Sequence, residues 1–104
     1  MLKKGNICLT EFPFTDLKQT KIRPVLVLYH DGLYDDVIVV VISSVVSRRR
    51  REDTVLISKT DTNFKETGLK TASVVLPNRI ITMKRARLFH ILGRLSQEHL
   101  DKID

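Results

Sequence analysis

The run Val37-Ile38-Val39-Val40-Val41-Ile42-Ser43 constrains the fold of this chain more than any other stretch. β-Branched side chains lose rotamer freedom in a helix and pack well on a pleated sheet. With no polar residue before Ser43, the run has no face to give to water. It therefore reads as a central strand covered on both sides. The whole chain leans the same way, with 11 Val, 9 Ile and 9 Thr against 2 Ala in 104 residues. That composition argues against a helical bundle. The length suits one domain, and no internal repeat or linker rich in Pro, Gly or Ser divides it, so a single domain over 1–104 is expected.

Other segments follow from periodicity and punctuation. Asn6–Phe12 alternates as a strand, and a polar loop covers Pro13–Ile22. Pro24–Tyr29 is a second strand, its proline at the first position, where a missing N–H does least harm. His30–Asp36 is a turn, and Val37–Ser43 the third strand. Ser44–Asp53 is a hydrophilic loop, Thr54–Ser58 a short strand and Lys59–Thr71 a long polar connection. Ala72–Leu76 is a strand interrupted by Pro77 and resumed over Ile80–Met83. Lys84–Arg87 reads as a helical turn. Leu88–Leu95 fits a helix by its i, i+3, i+4, i+7 leucine and isoleucine spacing, and fits a strand by Phe89–Leu92. Ser96 is an N-cap for a short C-terminal helix, with Glu98 in its first turn. Five to seven short strands and one terminal helix make a small barrel or a curled sheet.

Lys and Arg total 18 against 12 Asp and Glu, a net charge of +6. Each half of the chain carries 9 basic and 6 acidic residues. The excess is thus built into the folded body. A small basic protein is biased toward polyanions by steering and counterion release; the same charge also aids solubility. The lone Cys8 has no intramolecular partner and no metal-type spacing around it, and a reducing cytoplasmic setting is expected. No apolar stretch follows the basic start as in a signal peptide. The longest apolar run, Val37–Ile42, is far short of the ~20 residues of a spanning helix, so no membrane association is expected.

Catalytic motifs are few. There is no glycine-rich phosphate loop, nucleophile elbow or metal-ligand cluster, and neither metal nor cofactor is expected. His30 lies in an acidic turn, His90 reads as a packed structural residue and His99 as a solvated one. Two positions stand out. Arg23 joins a polar loop to a core strand, so its backbone is fixed while its head group can reach a cleft. Ser43 ends the central strand before a basic loop. Taken alone, these features also describe a surface cation with a packed stem and a hydroxyl that caps a turn.

The chain resembles the MazF/PemK family of toxin endoribonucleases. The resemblance is carried by Lys4-Gly5-Asn6-Ile7, Glu11-Phe12-Pro13-Phe14-Thr15-Asp16 and Lys21-Ile22-Arg23-Pro24-Val25-Leu26-Val27-Leu28. It continues through Val37–Ser44, Thr67-Gly68-Leu69-Lys70, Ser73-Val74-Val75-Leu76 and Gly93-Arg94-Leu95-Ser96, in family order over nearly the whole chain. It implies a mainly β fold, a small SH3-like β-barrel with a short C-terminal helix, that forms homodimers. It also implies metal-independent cleavage of single-stranded RNA, in which the 2′-hydroxyl attacks the adjacent phosphorus. The products would be a 2′,3′-cyclic phosphate and a 5′-hydroxyl. By the same resemblance Arg23 and Ser43 are the catalytic residues. Phe14, Thr15, Lys21, Arg48, Arg49, Asn78 and Arg79 are candidates for RNA contact. An acidic antitoxin protein is the expected partner, laid over the basic groove.

Two features leave room for another reading. Where family members often carry an acidic residue, Gln, Ile, Arg and Thr, this chain has Asn78, Arg79, Ile80, Ile81 and Thr82. The basic run Arg48–Arg51 is either a solvated loop or a set of phosphate contacts beside the groove. Phe14 is either a base-stacking platform or a core plug. The alternative function is a non-cleaving nucleic-acid- or protein-binding module on the same scaffold.

Overall fold

The β-branched run forms the middle of the molecule. A computed structural model describes residues 2–13, 20–46 and 54–103, with only the backbone described for Phe12, Pro13 and Thr20. The strands are β1 (Asn6–Pro13), β2 (Thr20–Asp31), β3 (Asp36–Ser43), β4 (Val55–Ile57), β5 (Ser73–Lys84) and β6 (Leu88–Arg94). Helix α1 (Phe64–Thr67) lies between β4 and β5, and α2 (Gln97–Ile103) ends the chain. The six strands form one sheet in the order β4-β5-β3-β2-β1-β6, and every pairing is antiparallel.

β3 has a buried cluster on each face, as its lack of any polar side requires. Val40 and Ile42 belong to one cluster with Ile7, Leu26, Ile57, Val75, Leu95 and Leu100. Val37 and Val39 belong to the other, with Leu2, Cys8, Val25, Val27 and Leu88. The mainly β class with a terminal helix is as expected. The sheet itself is open, with β4 and β6 at its edges. Helix α1 packs on β6 and α2 on β4, so apolar packing from Phe64, Leu92 and Leu100 joins the two edges in place of strand pairing.

Several boundaries differ from the sequence reading. β2 begins at Thr20 and runs through Pro24 to Asp31, longer at both ends than Pro24–Tyr29. Pro24 is tolerated inside it because pairing with β3 stops at Val25↔Val41. From there back, β2 is bounded by β1 alone and has a free edge. The hairpin turn shrinks to residues 32–35. The long polar connection contains α1, whose local bonds give no amphipathic signal in only four residues. β5 runs unbroken through Pro77, but opposite β3 its register jumps from Val41↔Leu76 to Val40↔Ile80. Pro77, Asn78 and Arg79 form the resulting bulge, which accommodates a residue with no N–H to give. Leu88–Arg94 is strand, because β1 offers it a pairing edge that outweighs its helical spacing.

The histidines also move. His30 is buried at the end of β2, its Nδ1 accepting the Leu2 N–H at 3.0 Å and its Nε2 2.7 Å from Asp35 Oδ1. His90 is exposed on β6, not packed, since β6 lies at the sheet edge. His99 is largely covered, its side chain 12% exposed, and not solvated. Its Nδ1 is 2.7 Å from Ser96 Oγ and its Nε2 is 3.1 Å from Asp61 Oδ2. Ser96 caps α2 as expected, accepting the His99 N–H at 3.3 Å.

Candidate nucleic-acid interface

Antiparallel register gathers the candidate residues into a row across the sheet. Thr10 on β1 is opposite Arg23 on β2. The β2–β3 pairing ends at Val25↔Val41, and Arg23 and Ser43 each lie two residues past that pair, at the same end of the sheet. Opposed residues project from the same face, so Thr10, Arg23 and Ser43 share one side of the sheet. Lys21, two residues before Arg23, is on that side too. Arg23 is half-buried, which fixes its stem, and Lys21 is exposed.

Thr10 is fully buried, and its hydroxyl donates to the Arg87 carbonyl at 2.9 Å. That bond ties the turn Arg85–Arg87 to the row. The Arg87 guanidinium reaches the Glu11 carbonyl at 3.5 Å. The sequence reading missed Arg87, because only the β1–β6 pairing Thr10↔Leu88 brings residues so distant in the chain to the row.

Ser43 is half-buried, and its Oγ accepts the Val45 N–H at 3.1 Å. A serine oxygen has two acceptor sites and one proton. The turn bond therefore orients the hydroxyl and leaves its proton available to an incoming oxygen. Asn78 and Arg79 are exposed on the β5 bulge, level with Val40 and Val41. Ile81 is half-buried against the Cys8–Val25 cluster. It serves packing there, at the position for which the family resemblance implies an arginine.

Phe14, Thr15, Arg48 and Arg49 lie outside the described residues. Their described neighbours Pro13, Thr20 and Val46 are at the sheet end that carries Arg23 and Ser43.

A cavity of about 310 Å³ opens at the same end, and its strand residues Leu9, Ile22, Pro24, Ile42 and Ser44 alternate with the row, so it lies on the opposite face of the sheet. Arg23 borders it together with Ser44, Lys70 and Thr71, over apolar walls from Leu9, Ile42, Leu69 and Leu92. Ser43 does not border it; its neighbour Ser44 does. No carboxylate is among the described residues around it. Lys70, which the sequence reading quoted for the family resemblance alone, sits in a connection without periodicity.

Among the described residues no group of three or more His, Cys, Asp or Glu could hold a metal ion. Nor, among them, is any helix long and apolar enough to cross a membrane.

A basic side chain and an oriented hydroxyl on one face at one end of an antiparallel sheet have the chemistry to receive an anion such as a phosphodiester. Residues 3–104 match the model of the PemK-like, MazF-like toxin family of type II toxin–antitoxin systems, and the chain belongs to that family. Among solved structures it is similar to a mycobacterial endoribonuclease in complex with its cognate antitoxin, with a TM-score of 0.73 at 18% identity. That alignment covers 99% of this chain and 87% of the other. A second mycobacterial endoribonuclease aligns with a TM-score of 0.68 at 18% identity, over 96% of this chain and 81% of that one. At that identity the likeness concerns the fold. No curated protein matches the chain.

Proposed function

We propose that the protein is the toxin of a type II pair and cleaves single-stranded RNA without a metal ion. The observation that carries this reading is that Arg23 and Ser43 stand on the same face at the same end of the sheet, each two residues past the pair Val25↔Val41, in a member of this toxin family. In the reaction the 2′-oxygen forms a bond to the adjacent phosphorus, and the bond from phosphorus to the 5′-oxygen breaks. The 2′-proton leaves through a phosphate oxygen or water, and a proton returns to the 5′-oxygen. Extra negative charge builds on the phosphorane on the way. A guanidinium is a fixed, always-charged fork of donors, so Arg23 stabilises that charge and does not serve as the base. Ser43 donates its free proton to a phosphate oxygen or to the leaving 5′-oxygen. Lys21, Asn78 and Arg79 contact neighbouring parts of the RNA, as do Phe14, Thr15, Arg48 and Arg49. The protein works in the cytoplasm as a homodimer, and an acidic antitoxin covers its basic groove.

The test is incubation of purified protein with a long RNA in EDTA. The expected outcome is discrete cleavage that leaves 5′-hydroxyl ends. Arg23→Ala should lower the rate by about 100-fold or more, and Ser43→Ala by about 10-fold to 100-fold. Both variants should keep the wild-type circular dichroism spectrum. Full activity of a folded Arg23→Ala protein would overturn the assignment. Binding without cleavage by the wild type would favour a non-cleaving module.

A further inference from the structure

Charge in this chain is uneven on a finer scale than its halves. Residues 67–97 hold six basic residues and no Asp or Glu, which equals the whole net charge of +6, and elsewhere the chain carries 12 of each sign. That block forms β5, the turn Arg85–Arg87 and β6. Several of its cations are already engaged. Lys84 Nζ is 2.9 Å from Asp36 Oδ1, and Arg94 Nη2 is 3.8 Å from Glu66 Oε1. Arg85 Nη1 donates to the Leu88 carbonyl at 2.6 Å, so its fork is folded back on its own segment. Arg87 differs. It is exposed, and its guanidinium meets an uncharged group, the Glu11 carbonyl at 3.5 Å. The Glu11 side chain follows Thr10 in β1 and so projects to the opposite face.

The Arg87 backbone is fixed on the face of the row. The Thr10 hydroxyl, on that face, donates to the Arg87 carbonyl at 2.9 Å. Leu88, the next residue, enters the cluster of Cys8 and Val25 there. Across the sheet the order is Ser43 on β3, Arg23 on β2, Thr10 on β1 and Leu88 on β6, with Arg87 directly before it. Neighbouring strands are about 4.8 Å apart, so Leu88 stands roughly 10 Å from Arg23. Two long side chains at that spacing can meet adjacent phosphates of a stretched single strand.

We propose that single-stranded RNA crosses the sheet along this row, and that Arg87 binds the phosphate next to the one held by Arg23 and Ser43. The inference rests on the RNA reading, but its test does not require cleavage. A polymer with one charge at every step meets both arginines, whereas an acidic peptide does not repeat its charge at every residue. A guanidinium has five N–H donors, so the contact with Glu11 leaves a bidentate grip on phosphate intact. The tie to Thr10 runs through the Arg87 carbonyl and survives a change of side chain. Arg87 acts away from the breaking bond, so its loss should raise KM and leave kcat nearly unchanged.

The probe is a fluorescein-labelled random 20-mer pool of fully 2′-O-methyl RNA, which has no 2′-hydroxyl to attack. Anisotropy titrations are run with the wild type, Arg87→Gln, Arg87→Lys and Arg94→Gln. The last removes the same charge from the same block at the other end of β6. Each phosphate contact on a single strand contributes about 0.7 to the slope of log K against log salt. Arg87→Gln should lower the slope by about that amount and weaken binding several-fold. Arg87→Lys should restore the slope but only part of the affinity, because the fork is lost. Arg94→Gln should leave the slope as in the wild type. An unchanged slope for Arg87→Gln, with or without a lower melting temperature, would overturn the contact. So would an equal loss for Arg94→Gln, or a wild type that does not bind the pool. An unchanged slope together with weaker binding of poly-L-glutamate would assign Arg87 to an acidic protein partner instead. The slopes decide the contact even where the wild type cuts no RNA, so failure of the nuclease reading is seen separately.

Discussion

At Gly68 the backbone turns left-handed and passes against the Leu92 carbonyl. At Gly93 the missing side chain lets β6 approach the Glu66 and Thr67 backbone. These two close approaches seat α1 on the sheet edge and, through it, the wall that carries Lys70. Gly68→Ala should destabilise the protein by about 2 kcal/mol or more, since strain and overlap add. A fall in the urea midpoint at unchanged m-value measures it. Cys8 is a second residue whose chemistry follows from its place. Burial pushes its thiol up from the ordinary value, and Arg85 offsets only part of the rise. The reactive thiolate is therefore suppressed at neutral pH. The native protein should resist iodoacetamide near pH 7.5 and be modified readily in denaturant. Rapid native labelling, followed by mass spectrometry, would contradict the buried placement.

At the scale of elements, α2 shows how a short helix holds on. Seven residues cannot sustain a helix alone in water. Leu100 enters the main buried cluster, and Ser96, His99 and Asp61 link the helix to the segment after β4. Asp61 Oδ2 also accepts the Ser58 N–H at 2.8 Å, which steadies the acceptor. Leu100→Ala should cost about 2–4 kcal/mol and Ser96→Ala about 1 kcal/mol, both read from denaturant melts. The β5 bulge makes a different point. Pro77 announces an interruption in the sequence, and the structure turns it into a displaced loop of three residues within a continuous strand. It sets Asn78 and Arg79 outside the ladder, exposed, where they can reach a ligand.

For the whole molecule, size and exposed surface point to self-association. A 12.0 kDa chain leaves Ile22, Tyr29, Leu33, Tyr34, Phe89 and Ile91 about half-exposed or more. Covering such side chains is the usual gain of a dimer interface. Light scattering should therefore report about 24 kDa, twice the chain mass of 12.0 kDa. A monomer at micromolar concentration would remove the dimer from the proposed function. The charge of +6 acts at this scale too. It biases the molecule toward polyanions at long range and does not by itself select a region of the surface.

By itself the sequence determined the elements whose signal is local. The β-branched run had to be a strand covered on both faces, because no arrangement of those side chains gives water a polar side. Ser96 had to start a helix, because its hydroxyl meets the orphan N–H groups of the first turn. Arg23 and Ser43 stood out as strand-end residues, and the resemblance implied catalytic roles for them. Tertiary structure decided whatever depends on pairing between distant segments. It made Leu88–Arg94 a strand by offering it the edge of β1, extended β2 back to Thr20, and covered His99 while exposing His90. It also brought Arg87 to the row and Lys70 to the cavity. Side chains from opposite ends of a chain meet only through register and closure, and neither is written in the local alternation of apolar and polar residues.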